Sequence, residues 1–535
     1  MNFTYIVFVI IYLYVLNISK RSLHMLQQNI YNENNRYLKW VNSNFIIIIK
    51  ELSLFGILFS ILNLFTNNNF LRFTCLFLMI FIYLLSFYLY KDREKLSQNK
   101  KPLVYTPRIK RLIITLSIIY LLPLFVALFN NLSNYSLLVL TIMASFNFYI
   151  VFVALLINDP VERLVRLHYR NNAKRKLSSM PNLKVVGITG SYGKTSSKNI
   201  LADILNIKYN VLPSPKSLNT VNGLMITVNN HLSKFDDIFI AEMGAYVKGD
   251  IKELCNLVNP KYGIITSIGT AHLSTFGSQE AILNTKMELI EYLPSDGVGI
   301  LNKDDPKQRE YKVKNDCKII WVGIDSEDVD VGALNIKATN KGTTFDVVFK
   351  GDNKKYHFET KLLGKHNVYN ILSAVALGRE FGLRPDELIS GVKMCRATEH
   401  RLELKKLGGI YQIDDAFNSN PVGAKSALEV LDMMDGVKVV VTPGMVELGD
   451  KEEEFNKIFG EQISEVADYV ILVGERKTKP IMDGLNNKNF DKDKIYVLND
   501  VRSAYTLLNK LKDDKKDLYA LFENDLPDTY TEGGK

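Results

Sequence analysis

Five apolar stretches crowd into the first 157 of 535 residues, a density that no water-soluble domain would string together. They run from Phe3 to Ile18, about Leu52 to Phe65, Phe70 to Tyr90, Leu112 to Phe129 and Tyr135 to Ile157. A helix needs about 20 residues to cross the ~30 Å of bilayer hydrocarbon, so each stretch is read as a candidate span. The second is the least secure. Extending it back through Phe45 to Ile49 would carry Lys50 and Glu51 into the apolar layer, at about 2.5–3.5 kcal/mol for a central charge. Lys50 then either snorkels to the interface or forms a functional intramembrane pair with Glu51.

Loop charges orient these spans. Lys20, Arg21, Arg36 and Lys39 follow the first, and Lys91, Arg93, Lys95, Lys100, Lys101, Arg108, Lys110 and Arg111 follow the third. The loops Thr66 to Asn69 and Asn130 to Asn134 carry no charge. The positive-inside rule predicts a multi-pass cell-membrane protein with its N-terminus outside, five crossings, and everything after Asn158 in the cytoplasm. A cleaved signal peptide is the alternative for Phe3 to Ile18, but a basic n-region and a small-residue cleavage site are both missing. Much of the net charge of +9 comes from juxtamembrane residues, including Arg163, Arg166, Arg170, Lys174, Arg175 and Lys176, which are expected to rest on anionic lipid headgroups. Nucleic-acid binding is the rival account of that charge, and no recognition motif accompanies it. Cys75, Cys255, Cys317 and Cys395 form no C-x-x-C pair, so neither zinc nor a disulfide framework is suggested.

After the spans, Val185-Val186-Gly187-Ile188-Thr189 runs into Gly190-Ser191-Tyr192-Gly193-Lys194-Thr195-Ser196-Ser197. An apolar strand entering Gly-x-x-Gly-Lys-Thr before a helix makes a phosphate-binding loop. Its backbone N–H groups converge on phosphate oxygens, Lys194 adds a point charge, and the Thr195 hydroxyl can hold Mg²⁺. The helix that follows aims its positive end at the same anion. A strict pattern would want glycine at Ile188, so the match is partial. A Gly-rich turn that happens to contain lysine is the plainer alternative.

The remaining ~375 residues suffice for one or two soluble domains. Strand candidates at Lys184 to Thr189, Asp237 to Glu242, Tyr262 to Ile268 and Gly297 to Asn302 alternate with helical patterns, which implies parallel sheets with crossovers. Thr344 to Phe349 and Tyr356 to Thr360 read as a hairpin around the polar Lys350 to Lys355. Helices are expected over Asn367 to Phe381 and Pro385 to Met394. A second α/β set has strands near Ile410 to Asp414, Lys438 to Val441, Ala467 to Val473, Lys494 to Val497 and Leu518 to Phe522. The expected organisation is a membrane domain over 1–157, a basic linker over 158–180, a central domain over 181–405 and a C-terminal domain over 406–535.

Two strand ends carry chemistry. Glu242 closes one strand and is well placed for Mg²⁺, since α/β sheets bind ligands at the carboxyl ends of their strands. His272, in Ser267-Ile268-Gly269-Thr270-Ala271-His272-Leu273, occupies the equivalent loop of the next, although a lone histidine is more often structural. Lys286 and Glu288 would ordinarily be a helix's solvated face.

Together with the phosphate loop, Ala241-Glu242-Met243-Gly244-Ala245, Gly249-Asp250, Ala271-His272-Leu273, Lys286-Met287-Glu288 and Asn302-Lys303-Asp304-Asp305 resemble the Mur ligase family in order and spacing. Further on, the same holds for Gly364-Lys365-His366-Asn367-Val368-Tyr369-Asn370, His400-Arg401-Leu402-Glu403, Asp414-Asp415-Ala416-Phe417-Asn418-Ser419-Asn420-Pro421 and Pro443-Gly444-Met445-Val446-Glu447-Leu448-Gly449. The last two most resemble the branch that adds D-alanyl-D-alanine to the peptidoglycan precursor. The resemblance covers about residues 180 to 535.

It implies an α/β fold with a P-loop central domain and a Rossmann-like C-terminal domain. It also implies ATP-dependent amide bond formation through an acyl phosphate, with D-Ala-D-Ala or an amino acid added to a cell-wall precursor. ATP would be held by Gly190, Ser191, Gly193, Lys194, Thr195, Ser196, Asn302, Arg401 and Asp415. Two Mg²⁺ ions are implied, Thr195 and Glu242 holding the first and His272 the second. Lys286 matches the family lysine that is carbamylated and then organises the second ion, so Lys194, His272 and Lys286 are the implied catalytic set. Asn219, Thr220, His366, Asn367, Asn370, Asn418 and Asn420 would line the substrate cleft, although His366-Asn367 could simply cap a helix. Closure of the two cytoplasmic domains over ATP is expected to complete the site.

The departure is the front end, where membrane spans replace the family's UDP-gripping domain. The acceptor is then UDP-linked or lipid-linked, the latter presented beside Arg163 to Lys176. A poly-γ-glutamate-type synthase and a nucleotide-regulated membrane protein are the alternatives. No oligomeric state follows from the residues.

Overall fold

The computed structural model describes residues 3–29, 31, 35–45, 53–130, 132–269, 273–339, 341–416, 419–446, 448, 451–512 and 516–524, apart from 97–101. The chain divides into two compact units, Met1–Leu167 and His168–Lys535.

The first unit is helical, with Phe3–Gln28, Arg36–Ser43, Ser53–Phe65, Asn69–Leu96, Pro107–Phe129, Ser133–Ser145 and the start of Asn147–Ser178. Among the described residues, three helices are long and apolar enough to cross a membrane, Phe3–Gln28, Asn69–Leu96 over its first 21 residues, and Pro107–Phe129, and a fourth span is reached if the bent pair Ser133–Ser145 and Asn147–Ser178 counts as one. Their outward faces are apolar. Phe73, Phe77, Phe81 and Leu84 are exposed on one helix and Ile114, Ile118, Leu122 and Phe125 on another, the reverse of a helix built for water.

Two expected spans differ from the reading above. Ser53–Phe65 has 13 residues, about 20 Å at 1.5 Å per residue, and Lys50 and Glu51 before it lie outside the described residues. Lys100 and Lys101 lie outside them too, as do the side chains of Lys91, Arg93 and Lys95. The stretch Tyr135 to Ile157 is not one helix but two, bent by 92° between Ser145 and Asn147. A buried polar side chain stands at the bend. Buried Asn147 accepts through Oδ1 from Ser19 Oγ at 2.9 Å and Tyr120 OH at 2.6 Å, and donates through Nδ2 to Ser22 Oγ at 2.6 Å. Leaving such a group unpaired in an apolar interior costs about 1–3 kcal/mol. Near the end of this unit Glu162 takes a two-pronged contact from Arg111, at 2.7 and 2.9 Å.

The second unit holds two sheets. The first contains β1 (Lys184–Thr189), β2 (Val211–Pro213), β3 (Ile238–Glu242), β4 (Tyr262–Ile265), β5 (Val298–Asn302), β6 (Lys318–Gly323), β7 (Val331–Thr339), β8 (Gly342–Phe349) and β9 (Lys355–Thr360). Their order is β2-β3-β1-β4-β5-β6-β7-β8-β9, parallel up to β7 and antiparallel beyond. β1 sits between β3 and β4, so every position from Val185 to Thr189 is buried, as expected of a strand covered on both faces. Val186 and Ile188 pack with Ile200, Ile204, Ile371 and Val375 on one face. Val185, on the other, packs with Leu224, Phe239, Leu254 and Leu289.

The second sheet contains β10 (Glu403–Leu407), β11 (Ile410–Asp415), β12 (Val437–Thr442), β13 (Tyr469–Val473), β14 (Ile495–Leu498) and β15 (Leu518–Glu523), in the order β10-β11-β15-β12-β13-β14. Only the β10–β11 pair is antiparallel. β10 therefore belongs to this sheet, and a boundary at 405/406 would cut through it. The sheet changes over before Glu403.

The basic segment is partly engaged by protein. Arg170 pairs with Glu253 at 3.4 Å and Lys176 donates to the Asn229 carbonyl at 3.2 Å, which takes these two away from the headgroup role expected of them.

Candidate nucleotide and ligation site

The site forms where β1 ends, between its parallel neighbours β3 and β4, at the point where the strand order reverses. In a parallel sheet this opens a crevice at the strands' carboxyl ends. Gly190 is pressed against the end of β4: a Cβ there would lie 3.0 Å from the Ser267 amide nitrogen and closer still to Thr266. Gly193 takes φ +80° immediately before the helix Lys194–Leu205, a conformation that suits glycine. Ser267 and Thr266 brace the loop. Ser191 N–H donates to Ser267 O at 2.7 Å, Thr266 Oγ1 donates to the Tyr192 carbonyl at 2.5 Å, and Gly269 N–H donates to Ser191 Oγ at 2.9 Å.

Lys194 Nζ lies over this loop, 2.9 Å from the Gly190 carbonyl and 3.3 Å from that of Ser191. Burial pushes its ammonium down to about 8, with Glu242 opposing and Arg401 assisting. Thr195 Oγ1 donates to Glu242 Oε1 at 3.2 Å, and Ser196 stands in the first turn of the same helix. A hydroxyl and a carboxylate at that spacing, beside a phosphate loop, are oxygen donors of the kind magnesium takes. Among the described residues no group of three His, Cys, Asp or Glu side chains converges on one point.

Lys286 and Asn219 line a cavity of about 40 Å³ together with Gly190, Ser191 and Lys194. Lys286 is 3 % exposed, so it is no solvated helix residue. Burial first, and the charge of Lys194 second, push it down to about 7. Glu288, two residues on, accepts from the Gly249 and Lys252 N–H groups at 2.9 and 3.0 Å and so holds the start of the helix Asp250–Val258.

Arg401 comes from the turn between the sheets, where His400 and Leu402 have φ +59° and +47°. Burial lowers its guanidinium, and the charges of Glu242 and Asp415 oppose that. Its charge is felt both by Glu242 at the end of β3 and by Asp415 in the second sheet. Asp415 accepts from Leu402 N–H at 3.2 Å and stands opposite Glu523 across β11 and β15. Burial pushes both carboxyls up, Glu523 well above its usual range. Ser419 Oγ donates to Glu523 at 2.5 Å.

Other expected site residues are occupied locally. Asn302 ends β5, and its Oδ1 accepts from Asp304 N–H at 3.0 Å. Thr220 and Asn420 are helix N-caps, accepting from Gly223 and Gly423 N–H at 3.2 and 3.0 Å. Asn367 donates to the Leu363 carbonyl at 2.8 Å rather than capping its helix, and burial pushes His366 down to about 4. Asn370 lies against the loop: a Cβ on Gly193 would meet its Oδ1 at 3.4 Å. His272 and Asn418 lie outside the described residues. The sequence reading missed Lys198, Ser214, Ser267 and Glu523. Only Lys198 carried a signal, its spacing of four from Lys194 placing both on one helix face.

Comparison with known proteins agrees with this geometry. Residues 188–378 match the Mur ligase middle domain and residues 400–521 the Mur ligase, glutamate ligase domain. The UDP-N-acetylmuramoyl-tripeptide–D-alanyl-D-alanine ligase of Bacillus subtilis is 33% identical over 346 residues, 64% of this chain and 72% of that protein. Its Escherichia coli counterpart is 30% identical over 55% of this chain and 65% of its own length. Among solved structures, MurF from Acinetobacter baumannii superposes with a TM-score of 0.60 at 26% identity, covering 67% of this chain and 77% of that one. MurF ligase from Thermotoga maritima in complex with ADP gives 0.59 at 26%, covering 67% and 80%. The chain belongs to the Mur ligase family of ATP-dependent, ADP-forming ligases.

Proposed function

We propose that this protein is a membrane-anchored ligase that joins D-alanyl-D-alanine to the carboxylate of a peptidoglycan precursor. The convergence of Lys194, Thr195, Glu242 and Lys286 on one strand end, in a chain that covers 72% of the Bacillus subtilis UDP-N-acetylmuramoyl-tripeptide–D-alanyl-D-alanine ligase, carries the reading. An acceptor carboxylate oxygen attacks the γ-phosphorus of ATP, the bond to the β-phosphate oxygen breaks, and ADP leaves. The amine then attacks the acyl carbon, a proton is lost from nitrogen, and phosphate departs with the oxygen that made the attack. Attack of one anion on another requires cations between them. Lys194 and Arg401 supply two, and Thr195 with Glu242 would hold magnesium, which adds charge neutralisation at the phosphates. Lys286, about half of it free amine at pH 7, is the residue fit to react with CO₂ and become a carbamate, an anion able to help order the second ion that the family resemblance gives to His272.

The catalytic domains are assigned to the cytoplasm, where ATP is, and the N-terminus lies outside if the number of crossings is odd. The apolar outer faces of the first unit, in the place of a domain for UDP, favour a lipid-linked acceptor at the inner leaflet. Phosphate release by the detergent-solubilised protein tests the ligase reading and the lipid preference. ATP, Mg²⁺ and D-Ala-D-Ala would be supplied with either a lipid-linked or a UDP-linked muropeptide. Release should need both acceptor and dipeptide and be faster with the lipid-linked one. Release without an acceptor would instead favour a polymer synthase, and equal rates would remove the lipid preference.

A further inference from the structure

Lys198 lies one helical turn beyond Lys194 and has no place in the phosphate loop or the cleft motifs. Its ammonium is buried, 2 % exposed like the side chain of Glu242, to which it pairs at 3.0 Å. Burying two opposite charges is expensive, and for stability alone well-packed apolar side chains would serve as well. The contacts around the pair point to a different role.

The two oxygens of Glu242 are not equivalent. Oε2 takes Lys198 Nζ, while Oε1 takes the Thr195 hydroxyl at 3.2 Å and Asn219 Nδ2 at 3.0 Å. Lys198 also donates to the Lys216 carbonyl at 2.7 Å, and Lys216 holds φ +50°. The segment 214–219 is tied to the end of β3 in two further places. Glu242 N–H donates to Ser214 Oγ at 3.1 Å and Gly244 N–H to the Asn219 carbonyl at 2.8 Å. One ammonium thus joins the phosphate-loop helix, the carboxylate at the end of β3 and the segment carrying Asn219.

We propose that Lys198 is a positioning residue for the nucleotide's magnesium ion, holding Glu242 with one oxygen beside the Thr195 hydroxyl and fixing the 214–219 segment to it. The inference rests on the reading of this site as one for a magnesium nucleotide. A carboxylate held on one oxygen presents the other in a set direction. Released from Lys198, it can rotate, and the ion loses that order.

The test is ADP binding to the full-length protein in detergent, titrated by calorimetry with and without MgCl₂. In the native protein Mg²⁺ should tighten ADP binding. In Lys198→Met, metal-free ADP binding should stay close to native, while the Mg²⁺ needed for half of the tightening rises about 10–100-fold, the usual effect of removing a residue that orients a metal ligand. Raised Mg²⁺ should then restore part of the kcat for phosphate release. An unchanged Mg²⁺ requirement overturns the proposal even if activity falls, since a merely structural lysine would weaken metal-free binding and thermal stability instead. Should Lys198→Met fail to fold, Lys198→Gln keeps N–H donors, drops the charge, and is judged by the same shift. If Mg²⁺ leaves ADP binding to the native protein unchanged, it is the reading of the site itself that fails.

Discussion

Lys194→Ala should lower ATP-dependent phosphate release about 10³-fold, the loss seen when one preorganised charge is removed from a developing anion. Lys194 Nζ lies within 3.3 Å of two loop carbonyls, where the nucleotide's phosphates would draw it. The protein has already met the cost of desolvating it, which is why burial holds its ammonium down to about 8. Binding a phosphate restores the charge's partner, so nucleotide affinity should fall alongside the rate. Thermal unfolding of the ligand-free variant should be no lower than native, because a partly desolvated cation has been removed. Titration with ADP and initial-rate measurement check both halves, and a variant that turns over within tenfold of native would exclude Lys194 from phosphate stabilisation.

Lys286→Arg should cost at least about 10²-fold although charge and bulk are nearly kept. The reason is chemical. A free lysine at pH 7 is neutral in about one molecule in 10³, whereas burial and the charge of Lys194 bring Lys286 down to about 7, so about half is free amine. The amine nitrogen attacks CO₂, a proton leaves nitrogen, and a carbamate results. Arginine stays protonated and cannot follow. Native enzyme depleted of CO₂ should therefore lose rate and regain it with bicarbonate, needing more bicarbonate as pH falls below 7, while Lys286→Arg should respond to neither. A bicarbonate response in Lys286→Arg, or none in the native enzyme, would separate Lys286 from carbamate formation.

Much of this architecture was legible because the centres of both sheets are parallel and buried. β1, β3, β5, β12, β13 and β15 are continuous apolar runs closed by turn residues, and the hairpin β8–β9 alternates about its polar turn. β10, Glu-Leu-Lys-Lys-Leu, is an edge strand with half-exposed positions and gave no pattern. β2 has three residues, too few for a period to appear. In the first unit, hydropathy found the apolar stretches but not the 92° bend, since a windowed average does not say where a helix breaks.

The site divides in the same way. Gly190 to Thr195 and Glu242 are local in sequence or sit at strand ends, where backbone topology dictates function. Lys198, Ser267 and Glu523 act through partners 44, 75 and 104 residues away, and no spacing rule reaches that far. Thr220 and Asn420 are motif positions whose side chains the fold also uses as helix caps.

The most direct test of the account follows an oxygen atom. If the acceptor carboxylate attacks ATP and the amine later displaces phosphate, one carboxylate oxygen must leave in that phosphate. Muropeptide labelled with ¹⁸O in its acceptor carboxylate, incubated with the full-length protein, ATP, Mg²⁺ and D-Ala-D-Ala, is predicted to yield one labelled phosphate for each dipeptide joined. Unlabelled phosphate would mean that water, not the carboxylate, attacks ATP, and that the protein is not the ligase described.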